Sequence, residues 1–196
     1  MTQTADQERE WWETAGPENI WGLGTWEEGI AGCVEQIESI LAGLSHGACV
    51  LDLGCGPGRL LVPLARAHPQ CTFTGLDIRF YDHAHINERN IGWMVGDGRR
   101  IGYADEMLDA IYSVALFQHL PHEATRGYLA ESARTLKPGG QVRFQHVLGS
   151  EDSFLAHQVL SATHLTQWCD DAGLEIVATD EGVLHFQWVW VTARKP

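Results

Sequence analysis

The residues best suited to chemistry lie in a glycine-rich turn at Gly54, Gly56 and Gly58. The turn follows the apolar run Val50–Leu53, which includes Asp52, and it precedes a segment that can form a helix. A strand, a tight glycine turn and a helix in succession bring the backbone of an α/β fold close to a nucleotide-like ligand. Glycine permits the turn and leaves room where a Cβ would clash with that ligand. The pattern predicts an enzyme that binds a cofactor.

An acidic residue, Asp77, ends the second strand-like run, where it can accept hydrogen bonds from the two hydroxyls of an adenosine ribose. That geometry suits NAD as well as other adenosine ligands, and Asp77 can alternatively cap a following helix. The dinucleotide pattern G-x-G-x-x-G would need a third glycine where this chain has Arg59. The sequence also has no Tyr-x-x-x-Lys pair. An NAD-dependent oxidoreductase is therefore the weaker of two interpretations.

Five motifs in order carry a resemblance to a known family. They are LDLGCGPGRL, GLDI, GDGRRIGYADEMLDAIYS, LKPGG and the stretch Leu165–Glu175. From about Ala48 to the C-terminus the chain resembles class I methyltransferases that use S-adenosylmethionine. The resemblance implies an α/β fold with a doubly wound, mostly parallel seven-stranded sheet of order 3-2-1-4-5-7-6, strand 7 antiparallel, and helices on both faces. The short turn at Asp180–Gly182 independently requires an antiparallel hairpin at the end of the chain.

The resemblance also implies roles for residues around the cofactor. Gly54, Gly56 and Gly58 would form the loop beneath the methionine part. Asp52 would steady that loop or reach the methionine amino group through water, and Ser113 would offer its backbone to the same amino group. Residues at the nucleoside would be Asp77 on the ribose hydroxyls, Ile78 against the adenine, Asp97 accepting from the adenine amino group, and Gly98 beside it. The sequence Gly96–Gly98 is also a good turn, which leaves a purely structural role for Asp97 open.

The acceptor side offers fewer signals. A sulfonium methyl group is already activated, so the enzyme mainly aligns the nucleophile, and a general base helps when that nucleophile is a hydroxyl or a protonated amine. His119 and His146 follow the fourth and fifth strands and are the candidate bases, with packing roles as the alternative. Gln118 stands where the resembled family often has a histidine. Together with Trp21 it is a candidate substrate contact.

The predicted elements place these residues at one edge of a sheet. Helices are expected from near Thr25 and over Arg59–His68, Tyr81–Asn90, 122–136 and Ser161–Ala172, and strands over Ala48–Leu53, Cys71–Asp77, Ile91–Gly96, Leu108–Ala115, Gln141–Val147, Leu174–Thr179 and Leu184–Ala193. The resemblance implies that residues 1–47, a tryptophan-bearing leader and a helix, cover the cofactor and substrate site. It also implies that residues 48–196 form the methyltransferase core, within one structural domain overall.

The composition of the chain disfavours several classes of partner. A net charge of −13 disfavours nucleic acid, and no apolar run approaches the length of a membrane span. Five scattered cysteines without a C-x-x-C pair predict neither a metal site nor a dithiol motif, and they suit a cytoplasmic location. We expect a small-molecule acceptor, and a homodimer is left open. A third interpretation, a non-catalytic regulatory protein that binds the cofactor, stands beside the methyltransferase and the oxidoreductase.

Overall fold

A computed structural model describes residues 26–83, 85–147, 161–181 and 188–196. Helices and strands alternate along most of this part of the chain. The elements are α1 Trp26–Leu41, β1 Cys49–Leu53, α2 Leu61–Ala67, β2 Thr72–Asp77, β3 Ile91–Val95, β4 Leu108–Ser113, a 3₁₀ turn Phe117–His119, α3 His122–Thr135, β5 Leu136–Val147, α4 Ala162–Ala172, β6 Glu175–Glu181 and β7 Trp188–Arg194. Among the helices of these residues, none is long and apolar enough to cross a bilayer.

The strands form one seven-stranded sheet in the order β3-β2-β1-β4-β5-β7-β6. The strands β1 to β5 pair in parallel, whereas β7 runs antiparallel to both of its neighbours. Val50 in β1 pairs with Phe73 on one side and Ala110 on the other. The predicted fold class, strand order and reversed strand are confirmed. Because parallel strands end at the same edge, the glycine turn, Asp77 and Ser113 meet there.

Helices cover both faces of the sheet, and alternation along β1 shows which helices cover which face. Val50 packs with buried residues of α1 and α2, among them Ile37 and Leu64. Leu51 packs on the opposite side with residues of α3 and α4, among them Leu129. Since successive residues of a strand point to opposite faces, each strand contributes to both cores. The second half of the predicted segment 1–47 therefore lies against the sheet, whereas its first 25 residues lie outside the described part.

Several predicted elements differ from the structure. Strand β5 begins at Leu136, five residues before the predicted Gln141, and β6 continues to Glu181, through two residues of the predicted turn at Asp180–Gly182. The segment predicted as a helix over Tyr81–Asn90 is not helical at residues 81–83 and 85–90. It is held by side-chain contacts instead: the side-chain amide of Asn90 donates from Nδ2 to the backbone carbonyl oxygens of Ala65 and Cys71. The segment lacks an apolar face, and a short helix without one gains little from packing. The helix predicted from Arg59 begins two residues later.

Candidate cofactor-binding site

The glycine turn has the strained backbone that its sequence predicts. Gly54, Gly56 and Gly58 have φ values of +79°, +51° and +84°, a region that other residues rarely adopt. The Gly54 amide donates to the carbonyl oxygen of Leu76 over 2.8 Å, which ties the turn to the end of β2. A Cβ on Gly54 would lie 3.1 Å from Leu116, whereas a Cβ on Gly56 would meet no atom within 4 Å. The turn is therefore packed at Gly54 and open at Gly56.

An aromatic stack supports the turn at Gly58. A Cβ on that glycine would lie 2.3 Å from the indole of Trp93, which pairs with Gly75 across the sheet. The imidazole of His83 stacks on the same indole, with ring centroids 3.4 Å apart and planes 9° from parallel. Burial lowers the pKa of His83, so the stacked ring is favoured in its neutral form. The turn, the edge strand β3 and the segment after β2 thereby form one unit.

Asp77 holds the turn directly. Its Oδ2 accepts from the Gly56 amide over 2.8 Å, and its Oδ1 accepts from the Arg79 amide over 3.0 Å. Burial raises the pKa of this carboxyl group, and the backbone donors oppose that rise. The Ile78 amide is a further backbone donor that lowers this pKa. The structure thus brings Gly56 and Asp77 together, and Ile78 follows half-buried. The ribose role of Asp77 stays a prediction.

Asp52 lies beneath the turn, with only 3% of its surface exposed. Burial raises the pKa of its carboxyl group to about 8, and the charge of Asp77 adds to the rise. Tyr112, its neighbour on β4, lowers this pKa, although its hydroxyl makes no hydrogen bond of good geometry. A buried acid of this kind is stabilised as a carboxylate when a cation approaches. The amino group of a bound amino acid is such a cation.

Asp97 lies on the surface after β3 and shapes a turn. Its Oδ1 accepts from the backbone amides of Arg99 and Arg100, both over 2.9 Å, and these bonds lower the pKa of the carboxyl group. Gly98 has a φ of +75°, as the turn requires. The structural role that the sequence allowed is therefore present. It leaves Oδ2 available to the adenine amino group, and that part of the assignment stays a prediction.

The end of β4 closes the site on the other side. The hydroxyl of Ser113, a fully buried residue, donates to the carbonyl oxygen of Leu53 over 2.8 Å and ties β4 to β1. Two residues later Ala115 has a φ of +55°, which is strained for any residue with a Cβ. Strain of this kind is often concentrated at functional sites. The cofactor role of the Ser113 backbone stays a prediction.

The candidate bases differ in exposure. His119 is half-buried in the 3₁₀ turn, and its Nε2 lies 3.2 Å from the amide nitrogen of the Gln118 side chain. His146 has 0% of its surface exposed, and its ring lies 6.5 Å from that of Phe117. Only His119 of the two therefore presents surface to an acceptor in this structure. Gln118 is itself buried, and Trp21 lies outside the described residues.

Sequence reasoning missed three residues that shape the site: Trp93, Tyr112 and Arg134. Trp93 fills the space above two glycines, Tyr112 neighbours Asp52, and Arg134 binds the loop after Asp97. Each contact joins segments far apart in the chain, so local patterns carry little trace of it. The one available signal is that Gly75 occupies a buried strand, where glycine usually marks a close approach by a neighbour.

Comparison with known proteins finds similarity to methyltransferases over part of the chain. A family model described as a methyltransferase domain matches residues 50–140. Malonyl-[acyl-carrier protein] O-methyltransferase of Methylococcus capsulatus is 34% identical over 127 residues, which are 60% of this chain and 46% of that protein. tRNA (carboxymethyluridine(34)-5-O)-methyltransferase of Arabidopsis thaliana is 31% identical over 137 residues, which are 68% of this chain and 33% of that protein. The chain thus spans less than half the length of these curated relatives.

A solved structure supports the same fold over nearly the whole chain. Magnesium protoporphyrin IX methyltransferase from Synechocystis PCC 6803, with bound S-adenosylmethionine, superposes with a TM-score of 0.71 at 18% identity and covers 98% of this chain and 97% of that chain. At this identity the likeness concerns the fold. The match to a methyltransferase domain favours S-adenosylmethionine over NAD and so supports the predicted cofactor. Over residues 50–140 the chain is thus similar to the methyltransferase domain family, and its fold is that of solved S-adenosylmethionine-dependent methyltransferases.

Proposed function

We propose that this protein transfers a methyl group from S-adenosylmethionine to an oxygen, nitrogen or carbon nucleophile of a small molecule. The observation that carries the proposal is the open position above Gly56, directly beside Asp77. Gly54 and Gly58 are explained by their packing neighbours, but nothing in the described structure fills the space at Gly56. A ligand that needs close approach to the backbone and a carboxylate for two hydroxyls fits this position.

The chain's own residues bind and orient the cofactor. The Asp77 carboxylate would accept from the ribose hydroxyls, Ile78 and Asp97 would hold the adenine, and Asp52 would hold the amino group of the methionine part. When bound, the cofactor supplies a sulfonium-activated methyl group. Burial raises the pKa of the Cys55 thiol in the turn far above its usual range. That thiol therefore stays protonated and is a poor competitor for the methyl group.

The exposure of two histidines and the net charge support the proposed general base and the proposed class of methyl acceptor. His119 is the general base where the acceptor is a hydroxyl or a protonated amine, because it has exposed surface and His146 has none. A net charge of −13 repels phosphate backbones, which favours a small acceptor over RNA. The two curated relatives differ in the acceptor that their names give, since one is a tRNA methyltransferase and the other is a malonyl-[acyl-carrier protein] O-methyltransferase. A cytoplasmic location and a homodimer stay predictions.

Calorimetric titration with S-adenosylhomocysteine and, separately, with NAD tests the cofactor. We expect the wild type to bind S-adenosylhomocysteine and not NAD. Asp77→Ala should weaken binding by roughly tenfold to a hundredfold, since a charge-assisted hydrogen bond is worth about 1.5–3 kcal/mol. Asp170→Ala removes an exposed carboxylate of α4 and is the matched control. NAD binding alone, or unchanged affinity in Asp77→Ala, contradicts the proposal.

Transfer of a labelled methyl group from S-adenosylmethionine tests the acceptor class. Purified protein is incubated with a small-molecule extract and, in parallel, with total tRNA. Label in the small-molecule fraction supports the proposal, and label in tRNA alone overturns its acceptor class. Cofactor binding without transfer to either fraction supports the non-catalytic regulatory interpretation.

A further inference from the structure

The loop from Asp97 to Glu106, between β3 and β4, is held by one side chain of α3. Arg134 donates from Nη2 to the carbonyl oxygen of Ile101 over 3.0 Å, and from Nη1 to the carbonyl oxygen of Tyr103 over 2.9 Å. Nη1 also donates to the Asp105 carboxylate over 2.7 Å. Its Nε and Nη2 donate to the two carboxylate oxygens of Glu131, both over 2.8 Å. All five N–H groups of the guanidinium are used.

Further contacts hold the middle of the same loop. The Ile101 amide donates to Glu131 Oε2 over 2.9 Å, so the helix residue that orients Arg134 also binds the loop. The Ile101 side chain is 1% exposed and belongs to the core beside α3. The Tyr103 hydroxyl lies 2.7 Å from the Thr74 hydroxyl on β2. The loop is therefore fixed to a helix and to the sheet at residues 101 and 103.

Asp97 depends on this arrangement. Its carboxylate is oriented by the backbone amides of Arg99 and Arg100, and Ile101 is the next residue along the chain. A shift of Ile101 would move both donors and turn the Asp97 carboxylate. We propose that Arg134 is a positioning residue that, by holding the 97–106 loop on α3, sets the recognition of the adenine amino group by Asp97. This inference rests on the proposed function.

A fork-shaped guanidinium is needed for this contact. Two carbonyl oxygens and two carboxylates surround one planar group, and the three rotatable donors of a lysine ammonium cannot reach all of them. Arg134→Lys keeps the positive charge and removes the planar guanidinium with its five N–H donors. Arg126→Lys is the matched control, because Arg126 lies on the same helix and forms only a 3.8 Å exposed ion pair with Asp171.

The test compares S-adenosylhomocysteine with S-inosylhomocysteine, in which a carbonyl oxygen replaces the adenine amino group. We expect the wild type and Arg126→Lys to prefer S-adenosylhomocysteine by about tenfold or more, as for a lost charge-assisted bond. In Arg134→Lys the preference should fall below about threefold, while affinity for S-inosylhomocysteine changes less than twofold. A merely structural role would lower both affinities together. Glu131→Gln keeps the helix but removes the carboxylate charge that faces the Arg134 guanidinium. It should therefore also reduce the preference for S-adenosylhomocysteine over S-inosylhomocysteine.

Each outcome bears on a different step. If the wild type binds neither compound, the proposed function fails and the inference fails with it. If the wild type binds both equally, the cofactor site stands but Asp97 does not read the amino group, which overturns the inference. A full preference retained in Arg134→Lys also overturns it. If thermal denaturation shows that Arg134→Lys does not fold, Glu131→Gln decides by the same comparison.

Discussion

Asp52 is a carboxyl group that folding removes from water, so replacing it by asparagine should stabilise the protein increasingly as pH rises. Burial raises the pKa of the folded-state carboxyl from an ordinary value of 3.8 to about 8. Between these two values the folded protein keeps the proton and the unfolded chain releases it. The free energy of unfolding therefore falls as pH rises through this window. The contribution is fully present below the unfolded pKa and is lost as pH approaches the folded one.

The magnitude follows from the proton difference. One proton bound only by the folded state costs about 1.4 kcal/mol of stability for each pH unit. From pH 5 to pH 7 the wild type should therefore lose roughly 3 kcal/mol through Asp52. Asparagine has a similar shape and does not ionise. The free energy of unfolding of Asp52→Asn, minus that of the wild type, should rise by the same amount over this interval.

Urea denaturation at pH 5, 6 and 7, followed by circular dichroism, measures this difference. Taking the difference between two proteins removes the contributions of all other titrating groups. Asp170→Asn, an exposed position on α4, is the control and should give a constant difference. A difference for Asp52→Asn that stays constant within about 0.5 kcal/mol would refute the reasoning, since Asp52 would then be charged in the folded protein.

Three further changes test the packing around the site by the same denaturation assay. Gly58→Ala should lower the free energy of unfolding by roughly 3 kcal/mol, because of the positive φ and the clash with Trp93. Adding Trp93→Leu to Gly58→Ala should recover only the part of that loss that is due to the clash. Ala115→Gly should gain up to about 1 kcal/mol by relieving a φ of +55°, and a loss would contradict the strain. Asp180→Asn should cost about 1 kcal/mol, because the buried guanidinium of Arg143 loses the charge of a carboxylate 2.9 Å away that is half-exposed and screened by water, and a neutral result would show that Asp180 is dispensable.

The sheet could be predicted from the sequence because its signals are local. The apolar run ending at Leu53 and the turn at Gly54 specify a strand end, and the short link before the last strand specifies a reversal, although β6 extends to Glu181, two residues beyond its predicted end. The chain order of such signals then leaves few topologies. The same holds for α4, where Ser161 caps the first turn and Gly173, at a φ of +79°, ends the helix as predicted.

The site could be predicted only in part, because its supports are not local. The ribose candidate Asp77 was predicted, and its bond to Gly56 follows from two strand ends meeting at one edge. The stack of His83 on Trp93 was not predicted, and helical propensity was wrongly assigned to the segment that contains His83. Nothing within a few residues of Arg134 indicates that it binds a loop some thirty residues earlier in the chain. Such contacts exist only once the sheet has assembled.

The three glycines of the turn illustrate how binding and folding are separated within five residues. Gly54 and Gly58 are needed for packing, since a Cβ would meet Leu116 at one and Trp93 at the other. Gly56 has a positive φ but, within the part of the chain that the structure describes, no neighbour at the Cβ position, and Asp77 accepts from its amide. Substitution at the outer glycines therefore disturbs the fold before it reaches a ligand. At Gly56 the added methyl group would enter the space that the cofactor is proposed to use, so loss of affinity there would exceed the loss of stability.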